Sequence, residues 1–338
     1  MLVLNRLRIL LLLCLAGNAA GQAPEPAAAL PAPQAASAAA AYRTQDLDWV
    51  DAGRQRAVPV RLYWPAKVAA GAKLPLIIFS HGIGGSRQGY SYLGAYWSAQ
   101  GVASLHVQHI GSDRQLWFGN PFGLVGRLQT AAAEGEALNR VRDISFALDQ
   151  LLQGEHGAQI DRARIVAAGH SYGASTTMLL AGAQIARQGV ALELRDARIK
   201  AAILISAPPF YGEADAATIP ASIAIPTLHI SATEDVITIP GYYSAASDRV
   251  ALFEATGNSA GRSAKAMAIF EGGSHSIFTD RAGTGGLALN PRVKNATKEL
   301  SLAFLSHVFD ASDAGLEQFG LRYRDILAGL SILRIRTC

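Results

Sequence analysis

Apolar residues fall along this chain in two spacings. Leu74–Ser80 (Leu-Pro-Leu-Ile-Ile-Phe-Ser), Val102–Ile110, Ile165–Ala168, Ile199–Ala207, Pro226–Ala232 and Ala264–Glu271 are short and largely apolar, as strands buried on both faces should be. Between them, Ala137, Val141, Ile144, Leu148 and Leu151 recur every three or four residues, as do Val293, Ala296, Leu300, Phe304 and His307, which predicts amphipathic helices. Tyr90–Gln100 reads as a further helix closed by Gly101. Ahead of these, Thr44–Val50 and Arg56–Trp64 read as antiparallel strands joined at Asp51-Ala52-Gly53. Strands alternating with helices predict an α/β fold with a mostly parallel central sheet and helices on both faces. Arg114–Gly126 reads as a loop, and Leu316, Phe319, Tyr323, Ile326 and Leu330 predict a terminal helix lying on the domain.

One junction in this pattern carries chemistry. Ile165–Ala168 runs into Gly169-His-Ser171-Tyr-Gly173, and an apolar helix begins at once through Met178, Leu179 and Leu180. A serine flanked by glycines on a tight strand-to-helix turn can present its hydroxyl at the sheet edge, with backbone N–H groups and the positive helix end aimed at a developing oxyanion. A serine hydroxyl needs a base, and the base a carboxylate, on loops after later strands. Asp235 follows the strand ending at Ala232, and His275 follows the strand ending at Glu271. Glu234 competes with Asp235, but Val236 and Ile237 return the chain to the core right after Asp235, which favours the aspartate. Of the other histidines, His109 is the alternative base, while His170 and His229 are expected to be structural.

The oxyanion donors are expected at the Tyr172 N–H and at Ile83, in the His81-Gly-Ile-Gly-Gly85 loop after the first core strand. Arg87 stands where a dinucleotide fingerprint would need its third glycine. Trp117, Phe118, Phe122, Phe210 and Tyr211 are expected to wall the substrate site, which suits an apolar acyl or aryl ester. Arg87 and Asp113 are expected to pair nearby. No zinc spacing occurs, so neither metal nor cofactor is expected.

Half of the 338 residues are hydrophobic and 17% are charged, enough apolar material for a large core. The net charge of +4 comes without a basic stripe, which argues against a nucleic-acid partner. Residues 1–23 read as a secretory signal: Arg6 and Arg8, then Ile9–Ala16, then small residues. That run is too short for a stable membrane span. Leu13 before Cys14 disfavours lipidation there, so the protein is expected to be exported to the periplasm or beyond. Residues 24–41 form an Ala/Pro-rich linker, 42–310 the main domain and 311–338 a helical extension ending in Cys338.

Phe79-Ser-His-Gly-Ile-Gly-Gly-Ser-Arg87, Tyr90, Gly111-Ser-Asp113, Arg140-Val-Arg-Asp143 and Gly-His-Ser-Tyr-Gly173 together resemble the α/β-hydrolase superfamily. The resemblance is to its dienelactone-hydrolase-like branch, which also holds platelet-activating-factor acetylhydrolases and cutinase-like polyester hydrolases, and it covers Tyr42–Asp310. It implies a carboxylic-ester hydrolase with Ser171, Asp235 and His275 as triad, Ile83 and Tyr172 as oxyanion donors, and lipid-like or polymeric esters as substrates. Serine in place of the dienelactone hydrolases' cysteine points away from dienelactone itself. A peptidase on the same fold, or a binding protein that keeps the fold without catalysis, are the alternatives.

Overall fold

Among the described residues, the central sheet is built from nine strands, six of them parallel. The computed structural model describes residues 41–333, apart from 214, 215, 217, 240 and 258–263. In chain order the strands are β1 (Tyr42–Asp51), β2 (Arg56–Pro65), β3 (Leu74–Ser80), β4 (Ala103–Val107), β5 (Ile160–His170), β8 (Ala201–Ile205), β9 (Thr227–Glu234), β12 (Lys265–Ser274) and β13 (Leu327–Leu333). Two small hairpins stand apart from the sheet: β6 (Ala186–Arg187) with β7 (Val190–Ala191), and β10 (Ile237–Ile239) with β11 (Tyr242–Ser244). The sheet order is β1-β2-β4-β3-β5-β8-β9-β12-β13. Strands β4 to β12 in that order run parallel, while β1, β2 and β13 are antiparallel to their neighbours.

Helices α1 (Ser91–Ala99), α2 (Leu124–Ala131), α3 (Glu134–Gln153), α4 (Tyr172–Ala181), α5 (Ala246–Ala255), α6 (Leu289–Asp310) and α7 (Ala314–Arg322) surround it. Two-residue periodicity decides which side each strand residue serves. Leu76 and Ile78 pack on one face with Val141, Ile144 and Leu148 of α3 and Met178 of α4. Their neighbours Ile77 and Phe79 pack on the other with Trp97 of α1 and Phe304 of α6. Covering both faces explains why the inner strands carry apolar residues on both sides. It also sets all the parallel strands' carboxyl ends on one rim, where β3, β5, β9 and β12 deliver their loops.

Two elements differ from the sequence expectation. The stretch read as a loop over Arg114–Gly126 contains two 3-10 turns, Arg114–Trp117 and Pro121–Gly123, and then the start of α2. The expected terminal helix stops at Arg322, and the chain turns through Tyr323–Ile326 into β13, an antiparallel strand on β12. Phe319, Tyr323 and Ile326 are buried as the helical spacing required. Beyond them, the unpaired edge of β12 supplies a ladder that an isolated seven-residue helix could not match. The Glu271 N–H already donates to the Ile326 carbonyl at 2.8 Å, fixing the register. The signal, the linker up to residue 40, Cys14 and Cys338 lie outside the described residues. Among the described residues, no helix is long and apolar enough to cross a membrane.

Candidate active site

Ser171 occupies the bend between β5 and α4 with φ 55° and ψ −123°, a left-handed conformation that side chains other than glycine adopt only at a cost. Glycine on both sides makes the bend possible. A Cβ at Gly169 would collide with the Gly173 carbonyl, and one at Gly173 with the carbonyl of Ser80 on β3. The Ser171 N–H donates to the Ile205 carbonyl of β8 at 2.9 Å, and its own carbonyl accepts from Ala174 at 2.8 Å. The nucleophile candidate is thus pinned between two strands and a helix, and only 7% of it is exposed.

His275 follows directly on β12, and its Nε2 lies 2.8 Å from Ser171 Oγ. Its Nδ1 lies 2.7 Å from Asp235 Oδ1, just past the end of β9. Asp235 is buried, so desolvation would raise its pKa. The hydrogen bond from His275, the His275 charge and the Arg249 guanidinium outweigh this and hold the carboxyl well below the usual carboxylate range. An ionised carboxylate can only accept, so Nδ1 carries the proton and Nε2 is left to accept from the Ser171 hydroxyl. The second carboxylate oxygen accepts from Ser231 Oγ at 2.8 Å. Glu234 points to solvent and takes no part. His109 is sequestered between Ser80 Oγ (2.9 Å) and Asp143 (3.1 Å), away from Ser171.

Sequence reasoning did not pick out Arg249. It sits on α5, almost fully buried, with Nη2 3.2 Å from Asp235 Oδ1 and Nη1 2.6 Å from Ser244 Oγ. The signal was there: Arg249 precedes Leu252 and Phe253 by three and four residues, on the apolar face of its helix.

The His81–Gly85 loop caps β3 beside the nucleophile. The Gly82 carbonyl is held from one side by the Gly85 N–H (3.0 Å) and by His81 Nδ1 (2.7 Å). The N–H of the same trans peptide, that of Ile83, must therefore point the opposite way. Tyr172 is the first residue of α4, so its N–H has no partner within the helix.

Beneath this loop lies Arg140 of α3, fully buried, which donates to Thr176 Oγ1 (3.1 Å), Ser112 Oγ (2.8 Å), Ser80 Oγ (3.1 Å) and the His81 carbonyl. Its guanidinium stands 4.4 Å from the centre of the Tyr172 ring. Burial lowers its pKa to about 10, so it stays charged near neutrality. One turn on, Asp143 gathers Arg54 (2.8 Å) and Arg56 (2.9 Å).

A cavity of about 360 Å³ opens at Ser171, within the size range of small-molecule sites. Ile83, Tyr172, Leu128, Leu179, Ile185 and Pro208 are among its mostly apolar walls, with Arg187 between Glu134 (2.9 Å) and Glu213 (2.6 Å) at its lining. Phe210 and Tyr211 line it. Trp117, Phe118 and Phe122 do not. Trp117 Nε1 donates to the Gly84 carbonyl at 2.8 Å, bracing the loop from outside. Phe118 and Phe122 are 63% and 96% exposed, because their 3-10 turns carry them over the outer surface. Arg87 and Asp113 do not pair either: Arg87 bonds Asp48 at 2.5 Å, whereas Asp113 caps a 3-10 turn and accepts from Gln108 at 2.6 Å. Among the described residues, no group of three or more His, Cys, Asp or Glu could hold a metal ion.

Residues 51–114 match the family model described as platelet-activating factor acetylhydrolase, isoform II. Platelet-activating factor acetylhydrolase of Cavia porcellus is 28% identical over 40% of this chain and 38% of its own length. That of Bos taurus is 30% identical over 38% of this chain and 37% of its own, and that of Canis lupus familiaris 28% over the same shares. The chain resembles the platelet-activating factor acetylhydrolases. It spans little more than a third of the length of these curated acetylhydrolases. The stretch matched by the acetylhydrolase model contains β3, the His81–Gly85 loop, Tyr90 and β4, which together form the Ile83 side of the site.

Proposed function

We propose that this chain is a serine hydrolase of carboxylic esters, acting on apolar or lipid-like acyl groups through an acyl-enzyme. The observation that carries this reading is the unbroken series from Ser171 Oγ to His275 (2.8 Å) to Asp235 (2.7 Å), set at the mouth of a mostly apolar cavity. His275 Nε2 takes the Ser171 proton as the hydroxyl attacks the ester carbonyl, and Asp235 stabilises the imidazolium that forms. The Tyr172 and Ile83 N–H groups receive the oxyanion. The imidazolium of His275 then gives its proton to the leaving alkoxide oxygen as the ester C–O bond breaks, releasing the alcohol, and water repeats the sequence on the acyl-enzyme.

The relatives' name speaks of an acetylhydrolase, and a short acyl group fits a cavity of this size. Export rests on the residue 1–23 pattern and is proposed on that alone. The test is hydrolysis of p-nitrophenyl esters graded by acyl length, together with inactivation by a serine-reactive phosphonate. Turnover that disappears in Ser171→Ala is the expected result. Undiminished turnover in that variant, or none in the wild type, would overturn the reading. Cleavage of peptides in preference to esters would move it to the peptidase.

A further inference from the structure

Behind the general-base candidate, a second histidine is set in a hydrogen-bonded series whose direction is fixed at every link. His170 Nε2 lies 3.0 Å from the backbone carbonyl of His275. A carbonyl only accepts, so Nε2 carries the hydrogen, and Nδ1 must then accept. The group that donates to it is the Tyr90 hydroxyl, at 2.8 Å. With its proton spent there, the Tyr90 oxygen accepts from the Gly82 N–H at 3.4 Å. The series therefore runs from the loop that holds Ile83, through Tyr90 and His170, to the residue that holds the proton-accepting imidazole.

Three further observations show that the series is built with care. Tyr90 has φ 57°, a left-handed backbone uncommon for a bulky residue, and the strain sits where the phenol must reach the site. Both side chains are almost fully buried, and the His170 and His275 rings lie 4.8 Å apart, centre to centre. Gly82 leaves no slack: a Cβ there would lie 3.2–3.3 Å from His170 Nδ1, Ser171 Cβ and the Tyr90 hydroxyl.

We propose that Tyr90 and His170 are positioning residues, a brace that sets the distance between the oxyanion loop and the base. The proposal rests on the esterase reading of Ser171 and His275 for its kinetic consequence, though not for its geometry. Burial, followed by the neighbouring His275 charge, lowers the His170 pKa to about 3, so the brace keeps one pattern across the working range.

The test uses Tyr90→Phe, His170→Leu and His170→Gln in the full chain. The Gln amide keeps one donor and one acceptor. Tyr90→Phe and His170→Leu should each lower kcat about tenfold with KM moved less than twofold, and His170→Gln should recover most of the loss. The double variant Tyr90→Phe/His170→Leu should be no worse than the worse single, because either change breaks the same series. The downfield proton resonance of the His275 Nδ1–H should shift in both singles and return in His170→Gln. That resonance needs no substrate, so it tests the brace even if the chain hydrolyses no ester. Should His170→Leu not fold, Tyr90→Phe, which loses a single oxygen, and the resonance decide. Unchanged kcat in Tyr90→Phe with an unmoved resonance, or losses that multiply in the double variant, would overturn the proposal.

Discussion

The two sides of Ser171 are built from different materials. Under the oxyanion loop, Arg140, Asp143, Arg54, Arg56 and Glu136 form a lattice of buried and half-buried charge, linked through Ser112 and His109. Behind His275 there is one ion pair, Asp235 with Arg249, and then neutral rings, His170 and Tyr90. The contrast follows from what each side must do in the proposed reaction. Oxyanion donors stabilise best when fixed before charge develops, and a lattice of charges fixes them. In that proposed reaction the base would change its own charge in every turnover. Asp235 stabilises the imidazolium while also pairing with Arg249 through the same carboxylate oxygen, and the His170 and Tyr90 rings beyond stay neutral and add no further cation.

Changes on each side should separate these roles. Ser171→Ala removes the group both sides serve and should lower kcat by several orders of magnitude while leaving the melting temperature near wild type. On the base side, Asp235→Asn keeps the shape but favours the wrong tautomer of His275, and should lower kcat by about 10⁴-fold in the same ester assay. On the oxyanion side, Asp143→Ala leaves Arg54 and Arg56 without their shared carboxylate. Urea unfolding should show a loss of about 3 kcal/mol in stability. If Asp143→Ala spared stability, the lattice would not be what holds the loop.

Acid should act on both sides together. His81, His106, His109, His170 and His229 are all buried and held below the ordinary imidazole range by that burial, the last four at about 3. An unfolded chain takes up protons at these histidines near pH 6.5, and the folded chain does not. Their stabilising contribution is therefore complete above about pH 6.5 and is lost as pH falls toward 3. Melting curves across pH 4–8 should show this decline, and a flat profile would contradict the assignment. The smallest effect belongs to the outer surface. Phe122→Ser should change stability by less than about 0.5 kcal/mol and leave hydrolysis of short soluble esters alone.

The sequence made the placement of the candidate site more legible than that of its surroundings. Ser171, Asp235 and His275 could be ordered because each follows a strand, and strand ends in a parallel sheet share one rim. Aromatic character could not say which wall a side chain joins, so Phe210 and Tyr211 reach the cavity while Phe118 and Phe122 face outward. In the sequence Arg140 figures only in the family resemblance and gains no role, although its position gave a signal: it lies three residues after Ala137 and four before Ile144, on the apolar stripe of α3. A charge on such a stripe marks a buried network. The tail misled for a different reason. Helical spacing holds through Tyr323, but the fate of Leu327–Leu333 depends on an open strand edge some sixty residues earlier, which periodicity does not register.

That edge has a consequence for how this molecule keeps to itself. β12 carries His275 at its end, and without β13 its outer row of N–H and C=O groups would invite any extended polypeptide to add on. With β13 in place, β12 is an interior strand, shielded from pairing with other molecules. Loosening the final strand would thus expose an adhesive border and unsettle the imidazole together, so self-association and loss of turnover should begin from the same local opening.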